Sequence, residues 1–287
     1  MKISVLTTSY NYEKYIPETI KSVLGQTFAD FEYIIFDDGS TDSSLQIIKE
    51  YEKKDSRIKL YTHENNINKG LIETMKIAIK KCNGEYIIFV ESDDVLEPNY
   101  IEEKLKILDK HPDSAIIFNK IEPFGNEQRV VNCQKYLKNS TAIFSNGAFK
   151  YTELLKTNII PTFSCVMVKK DVIENIKFEF ELAKCFDWYL WNYIIQNYKV
   201  VYLDKALTKF RMHQESMSCK PTKISSYTSL LKLSKRKYQN NIPYKMFESY
   251  KNMTRIEKAL RPLVRIIDEY IYNILYENKT INIITES

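Results

Sequence analysis

The chain has 287 residues, which suits one α/β domain with an added segment. Hydrophobic residues make up 44% and aromatics 13%, and with 6 Gly and 8 Pro the composition excludes a disordered or collagen-like chain. The formal charge of +5 is unevenly placed: residues 222–287 hold 12 Lys and Arg against 6 Asp and Glu, leaving 30 against 31 for residues 1–221. That asymmetry points the tail towards an anionic surface or partner and argues against nucleic-acid binding by the whole protein.

In chain order, Ile3 to Thr7 reads as a strand, Ile16 to Leu24 as a helix, and Tyr33 to Phe36 as a strand. A helix over Ser43 to Tyr51, capped by Asp42 or Thr41, comes next, then a short strand at Ile58 to Tyr61. A helix over Leu71 to Lys80 leads into the apolar strand Tyr86 to Val90. Strand and helix alternating in this way predict a largely parallel sheet with helices on both faces. A helix near Pro98 to Lys110 and a strand at Ala115 to Phe118 follow, after which Lys120 to Ser145 reads as irregular and polar, a flexible or acceptor-facing loop. Further on lie a helix near Tyr151 to Leu155, a strand at Ser164 to Val168, a helix at Asp187 to Gln196, and strands at Val200 to Leu203 and Leu207 to His213. The tail from about Lys223 reads as helical; Pro262 opens a last helix whose face carries Leu263, Ile266, Ile267, Tyr270, Ile271 and Ile274. Such a face packs on the core or on a second subunit, or lies on a membrane surface.

Five cysteines spread singly, with no Cys-x-x-Cys pair, argue against a disulfide framework and a zinc ribbon and suggest a reducing compartment. The opening apolar run is strand-length rather than signal-peptide length, and no run is long enough to span a bilayer. The expected location is cytoplasmic, soluble or peripheral at the inner face of the membrane.

In an open parallel sheet, ligands sit beyond the carboxyl ends of the strands. The first strand is followed by Thr8-Ser9-Tyr10-Asn11, the second by Asp37-Asp38-Gly39-Ser40-Thr41-Asp42, and the fourth by Glu91-Ser92-Asp93-Asp94. Taken alone, the Asp-Gly-Ser turn reads equally as a turn with a helix cap. The Asp93-Asp94 pair has a more specific reading. Adjacent carboxylates after a buried strand repel, at a cost on the order of several kcal/mol, and a divalent cation removes that penalty. Carboxylate oxygens select hard ions such as Mg²⁺ or Mn²⁺, which keep open positions for diphosphate oxygens.

With these pieces in order, the sequence resembles the family 2 glycosyltransferases of the GT-A fold from about Ile3 to Ser218. The resemblance rests on Ser4 to Asn11, on Leu24-Gly25-Gln26-Thr27-Phe28 leading to Asp37 through Asp42, on Asn68-Lys69-Gly70, and on Gly84 to Ile87 followed by Ser92-Asp93-Asp94. It implies a GT-A domain over residues 1–221, with a nucleotide-binding half at 1–119 and an acceptor-side half at 120–221, then a basic helical extension at 222–287. It also implies an inverting transfer from a UDP-sugar to a glycan or lipid-linked saccharide acceptor, dependent on Mn²⁺ or Mg²⁺.

By the same resemblance, Thr8 and Tyr10 line the nucleobase pocket, Asp38 accepts the uracil N3 proton, and Lys69 joins the nucleotide-binding set. Asp93 serves the ribose and diphosphate side and the metal, and Asp94 is the direct metal ligand. Glu91 stands where Asp is usual. Phe186-Asp187-Trp188-Tyr189-Leu190-Trp191 matches the segment that carries the family's general base, which makes Asp187 the candidate base; by itself it also reads as a helix cap. Arg211-Met212-His213-Gln214-Glu215-Ser216-Met217-Ser218 matches an Arg-x-His-x-x-Ser-x-Ser segment. Arg211 and His213, two apart on a strand, point to one side, towards diphosphate and metal.

Rival chemistries lack their motifs. No glycine follows the first strand as a nucleotidyltransferase needs, and there is neither a Gly-x-Gly-x-x-Gly nor a nucleophile elbow. A domain that binds a nucleotide sugar without turnover stays open because of Phe186 and Glu91. The C-terminal helices are expected to serve a homodimer or a peripheral membrane contact.

Overall fold

The computed structural model describes residues 2–141, 148–150, 158–176, 186–216 and 280–286. The first half runs β1 (Ile3–Ser9), α1 (Ile16–Leu24), β2 (Phe31–Asp37), α2 (Ser44–Glu52), β3 (Ile58–Thr62), α3 (Leu71–Lys81) and β4 (Tyr86–Phe89). It continues with β5 (Val95–Leu96), α4 (Tyr100–Lys110), β6 (Ile116–Gly125), α5 (Glu127–Thr141), β7 (Ala148–Lys150), β8 (Val166–Lys169) and α6 (Lys170–Glu174). Last come α7 (Phe186–Asn197), β9 (Val200–Met212), β10 (Thr280–Asn282) and β11 (Ile284–Glu286).

One sheet organises the molecule, in the order β11-β9-β6-β8-β4-β1-β2-β3, with the short β5 also on β9. β1 pairs in parallel with β2 and β4, β2 with β3, and β9 with β6 and β11. β8 runs antiparallel to both its neighbours, β4 and β6. This is the mixed, mostly parallel and helix-covered sheet of a GT-A fold.

The uniformly apolar strands are explained by burial on both faces. Leu6, Ile34, Phe36, Ile87 and Phe89 point to one core, shared with Met75 and Ile79 of α3, Ile173 of α6, and Leu190, Trp191 and Ile194 of α7. The alternate residues Val5, Tyr33, Ile35 and Ile88 point to the other, with Ile16, Ile20 and Val23 of α1, Ile48 of α2 and Ile101 of α4. α1 begins with a proline in its first turn, where a missing N–H costs nothing, and buries Ile16, Thr19, Ile20 and Val23 as one stripe. Gly84 lets the chain enter β4 against β1, since a Cβ there would stand 2.5 Å from the Ser4 amide nitrogen.

Lys104 of α4 is fully buried. Its Nζ donates to the carbonyls of Ile117 (2.9 Å) and Cys165 (2.7 Å) and stands 4.6 Å from the Tyr100 ring centre. Burial pushes this ammonium down to about 7.

Several expectations need correction. The stretch from Lys120 is not an irregular loop: β6 continues to Gly125, and α5 covers Glu127–Thr141. Pairing along β9 from Ile116↔Val200 to Gly125↔Met212 overrides the polar sequence. The two strands read at 200–203 and 207–213 are one strand, β9, interrupted by a bulge where Asn119 pairs with Leu203 and Lys120 with Ala206. Asp204 and Lys205, exposed in that bulge, caused the apparent break. The start of α2 is as expected in one respect: Asp42 accepts from the Ser44 amide at 2.9 Å.

Of the tail at 222–287, residues 280–286 are described, and they form strands: β10 pairs with β7, and β11 lies on β9. Glu286 ties this end down through Lys110 Nζ (2.9 Å) and His111 Nε2 (2.8 Å). The helices expected near 151–155 and after 223, including the apolar face from Leu263 to Ile274, lie outside the described residues. Among the described residues no helix is long and apolar enough to cross a membrane.

Candidate functional site

The carboxyl ends of β1, β2 and β4 are neighbours, so the polar segments after them meet. Asn11, with φ 61°, turns the chain after β1 and accepts from the Thr41 amide (2.8 Å), while its own amide donates to Ser40 Oγ (3.0 Å). Asp37 is buried and accepts from the Ser40 amide and hydroxyl (2.9 and 2.5 Å). Burial pushes its carboxyl above the usual range, against the pull of the Ser40 bonds.

Asp38, also buried, accepts from the amides of Lys69 (2.8 Å) and Gly70 (3.0 Å), and His63 Nε2 stands 3.2 Å from its Oδ1. The Asp38 carboxylate thus fastens the loop before α3 over the turn. Gly39, at φ 75°, gives way to that loop, since a Cβ would stand 2.6 Å from the Asn68 nitrogen. Lys69 contributes its backbone there and keeps its residue exposed; Tyr10 is 43% exposed, and Thr8 is half-buried, its carbonyl accepting from Ser92 Oγ at 2.7 Å.

After β4 the two adjacent aspartates diverge. Asp94 is completely buried: Oδ1 accepts from the Arg211 amide (2.9 Å) and Oδ2 from Thr162 Oγ1 (3.1 Å). Asp93 turns to the rim, where its Oδ2 lies 2.7 Å from His213 Nε2. Glu91 accepts from Thr162 Oγ1 at 2.5 Å, and its amide donates to Ser164 Oγ at 2.9 Å. One turn, Thr162 to Ser164, therefore supports both Glu91 and Asp94. No sequence motif marks it.

The cluster crowds acidic groups together, which favours their neutral forms. Burial and the Asp93 charge push Glu91 up to about 7, and Asp187 is near enough to add to the rise. Asp94 is pushed well above the carboxylate range by burial, then by Asp93 and Glu91. The phenol of Tyr12 is likewise raised, first by burial and then by Asp93, Glu91 and Asp94.

β9 carries the opposing groups. Arg211 Nε donates to the Asp93 carbonyl (2.7 Å), its Nη2 pairs with Glu18, and its guanidinium lies 5.1 Å from the Tyr15 ring centre and 4.4 Å from that of Phe124. The His213 ring stands against Tyr15, centres 4.6 Å apart. Asp93, Asp94, Arg211 and His213 thus form one network, and Asp38 with Lys69 a second. Asp187 opens α7 near Glu91, and its Oδ2 accepts from Asn158 Nδ2 at 3.2 Å. Ser218 of the motif after β9 lies outside the described residues.

The arrangement suits a divalent cation. Asp93 Oδ2 and His213 Nε2 are oxygen and nitrogen donors side by side at the rim of an under-neutralised acidic cluster, and small hard ions take few protein ligands when substrate phosphates complete the shell. Among the described residues no three His, Cys, Asp or Glu side chains form a ready cage. Asp94, expected as the direct ligand, is fully buried: its Oδ1 accepts from the Arg211 amide, and its Oδ2 lies 3.1 Å from the Thr162 hydroxyl, whose single proton also faces Glu91 at 2.5 Å.

Residues 4–177 match the family model described as glycosyl transferase family 2. An uncharacterized glycosyltransferase of Methanocaldococcus jannaschii is 28% identical over 240 residues, 79% of this chain and 78% of that protein. The Escherichia coli UDP-Glc:alpha-D-GlcNAc-diphosphoundecaprenol beta-1,3-glucosyltransferase WfgD is 31% identical over 218 residues, 75% of this chain and 79% of that protein. The S. aureus TarS fragment 1–349 in complex with UDP-GlcNAc superposes with a TM-score of 0.63 at 26% identity, over 84% of this chain and 68% of that fragment. In the longer TarS crystal structure, 40% of the chain is covered.

Proposed function

Because this chain belongs to glycosyl transferase family 2, we propose that it moves a sugar from a UDP-sugar to an acceptor hydroxyl with inversion at the anomeric carbon, in the assembly of a bacterial surface glycan. The observation that carries the reading is the Asp93–His213 pair with Arg211 beside it, at the carboxyl end of the sheet where ligands of open α/β folds bind. The UDP-GlcNAc bound by TarS and the UDP-Glc in WfgD's name support a uridine carrier of a hexose or N-acetylhexosamine. The diphosphoundecaprenol in the latter supports a lipid-linked saccharide acceptor.

In this reading Thr8, Tyr10, Asp38 and the Lys69 segment hold the nucleoside. Asp93 and His213 would hold Mn²⁺ or Mg²⁺, which when bound would supply charge neutralisation on the departing diphosphate. Arg211, fixed by the Asp93 carbonyl and Glu18, presents a permanent positive charge to the same group. Asp187 accepts the proton of the acceptor hydroxyl as its oxygen bonds to the anomeric carbon, from the face opposite the diphosphate. The bond to the phosphate oxygen breaks with its electron pair, and UDP leaves. Asp94 serves by keeping Arg211 in place.

Calorimetry of the purified protein with UDP, with and without Mn²⁺, tests this. UDP binding strengthened by the cation supports the reading; indifference to UDP in both conditions removes it. A panel of nucleotide sugars scored by thermal stabilisation then identifies the donor.

A further inference from the structure

α5 presents an outer row that the donor side does not use. Gln128, Asn132 and Tyr136, each four residues from the next, share one helix face, and all three are exposed. Tyr136 is 41% exposed, yet its hydroxyl is fixed, donating to the Asn158 carbonyl at 2.6 Å. Asn158 in turn donates through Nδ2 to Asp187 Oδ2 at 3.2 Å. The Tyr136 side chain is therefore part-exposed, tied at its hydroxyl, and joined through Asn158 to the proposed base. Burial of the hydroxyl pushes it up to about 12, and the Asp187 charge adds to the rise.

We infer that this face of α5 is the acceptor subsite, and that it takes a sugar ring whose C–H face lies on Tyr136 while its hydroxyls pair with the amides of Asn132 and Gln128. The inference deepens the transfer reading and rests on it for the role of Asp187. A pyranose has an apolar face and a polar rim, and an aromatic ring with two amides along its row, and Arg129 seven residues before it on the same face, offers both complements. An acyl chain would need a continuous apolar surface. Val131, the other large apolar side chain exposed on α5, lies about 140° round the helix from Tyr136. Because the Tyr136 ring is pinned at its hydroxyl, little side-chain freedom remains to be lost on binding.

The test is saturation-transfer NMR on the full chain with UDP and Mn²⁺ present. The probes are methyl glycosides of glucose, galactose, mannose, N-acetylglucosamine and N-acetylgalactosamine. At least one glycoside is expected to bind, roughly tenfold more weakly to Tyr136→Ala and within about threefold of wild type to Tyr136→Phe. UDP affinity by calorimetry should be the same in all three proteins. Asn132→Ala, on the exposed part of the row, repeats the test should Tyr136→Ala fold poorly, and is expected to weaken the same glycoside about fivefold. The inference is overturned if no glycoside binds wild type while UDP does, or if folded Tyr136→Ala or Asn132→Ala binds as wild type. Glycoside binding without UDP binding would overturn the transfer reading and leave the subsite standing.

Discussion

Nε2 of His213 lies 2.7 Å from Oδ2 of Asp93, joining the end of β9 to the loop after β4 across 120 residues of sequence. If the pair holds the cation, Asp93→Asn and His213→Ala should each weaken UDP binding in Mn²⁺ by about 10- to 100-fold, in the range of lost metal ligation and its support. UDP binding without the cation should change little. Calorimetry on the double variant should show a loss well short of the sum, because the two side chains act as one unit. Additive losses would separate them.

Asp187→Asn should lower kcat by roughly 10²- to 10⁴-fold, the range for a removed general base, with UDP affinity unchanged. Steady-state kinetics with a donor found in the panel settles it, and undiminished turnover would take Asp187 out of the mechanism.

Thr162 Oγ1 contacts both Glu91 and Asp94, and so holds the acidic loop to the turn before β8. Thr162→Val keeps the shape but leaves two carboxylates without that donor, and should lower stability by about 1–3 kcal/mol in urea unfolding. Thr162→Ser should recover most of the loss. Equal stability of the valine variant would show that these contacts contribute nothing.

Lys104 gives a pH signature. Its folded value of about 7 lies below the roughly 10.4 of an unfolded lysine, so between these limits the unfolded chain holds the extra proton. Its burden on the fold is therefore full below pH 7 and is relieved as pH rises. Wild type should gain on Lys104→Met between pH 7 and 9, at up to about 1.4 kcal/mol per pH unit. Parallel unfolding curves for the two proteins across that range would mean the amine titrates normally.

The parallel half of the fold was legible because β1, β2 and β4 are apolar on both faces and the helices between them each bury one stripe. α5 was not: its outer row is polar, and the contacts that place it, on β6 and on Asn158, are distant in sequence. Neighbouring carboxylates in sequence suggested two residues sharing one ion; the Glu91–Asp94 turn instead gives them different partners, Arg211 and Thr162 for Asp94 and His213 for Asp93. The partners of Asp38 stand more than thirty residues ahead, and Thr162 sits in no motif; both are facts of tertiary packing that local spacing does not encode.

β9 bears Arg211 and His213 between two parallel neighbours, β6 and β11, and the second of these is the last segment described. Ribosomes add about 5–20 residues per second, so for some seconds after β9 emerges its Val201–Leu203 stretch waits for β11, while β5 already covers Thr208 and Lys209. The early part of β9 thus closes its flank late in synthesis, and interrupted translation would leave that short edge exposed beside strands already paired.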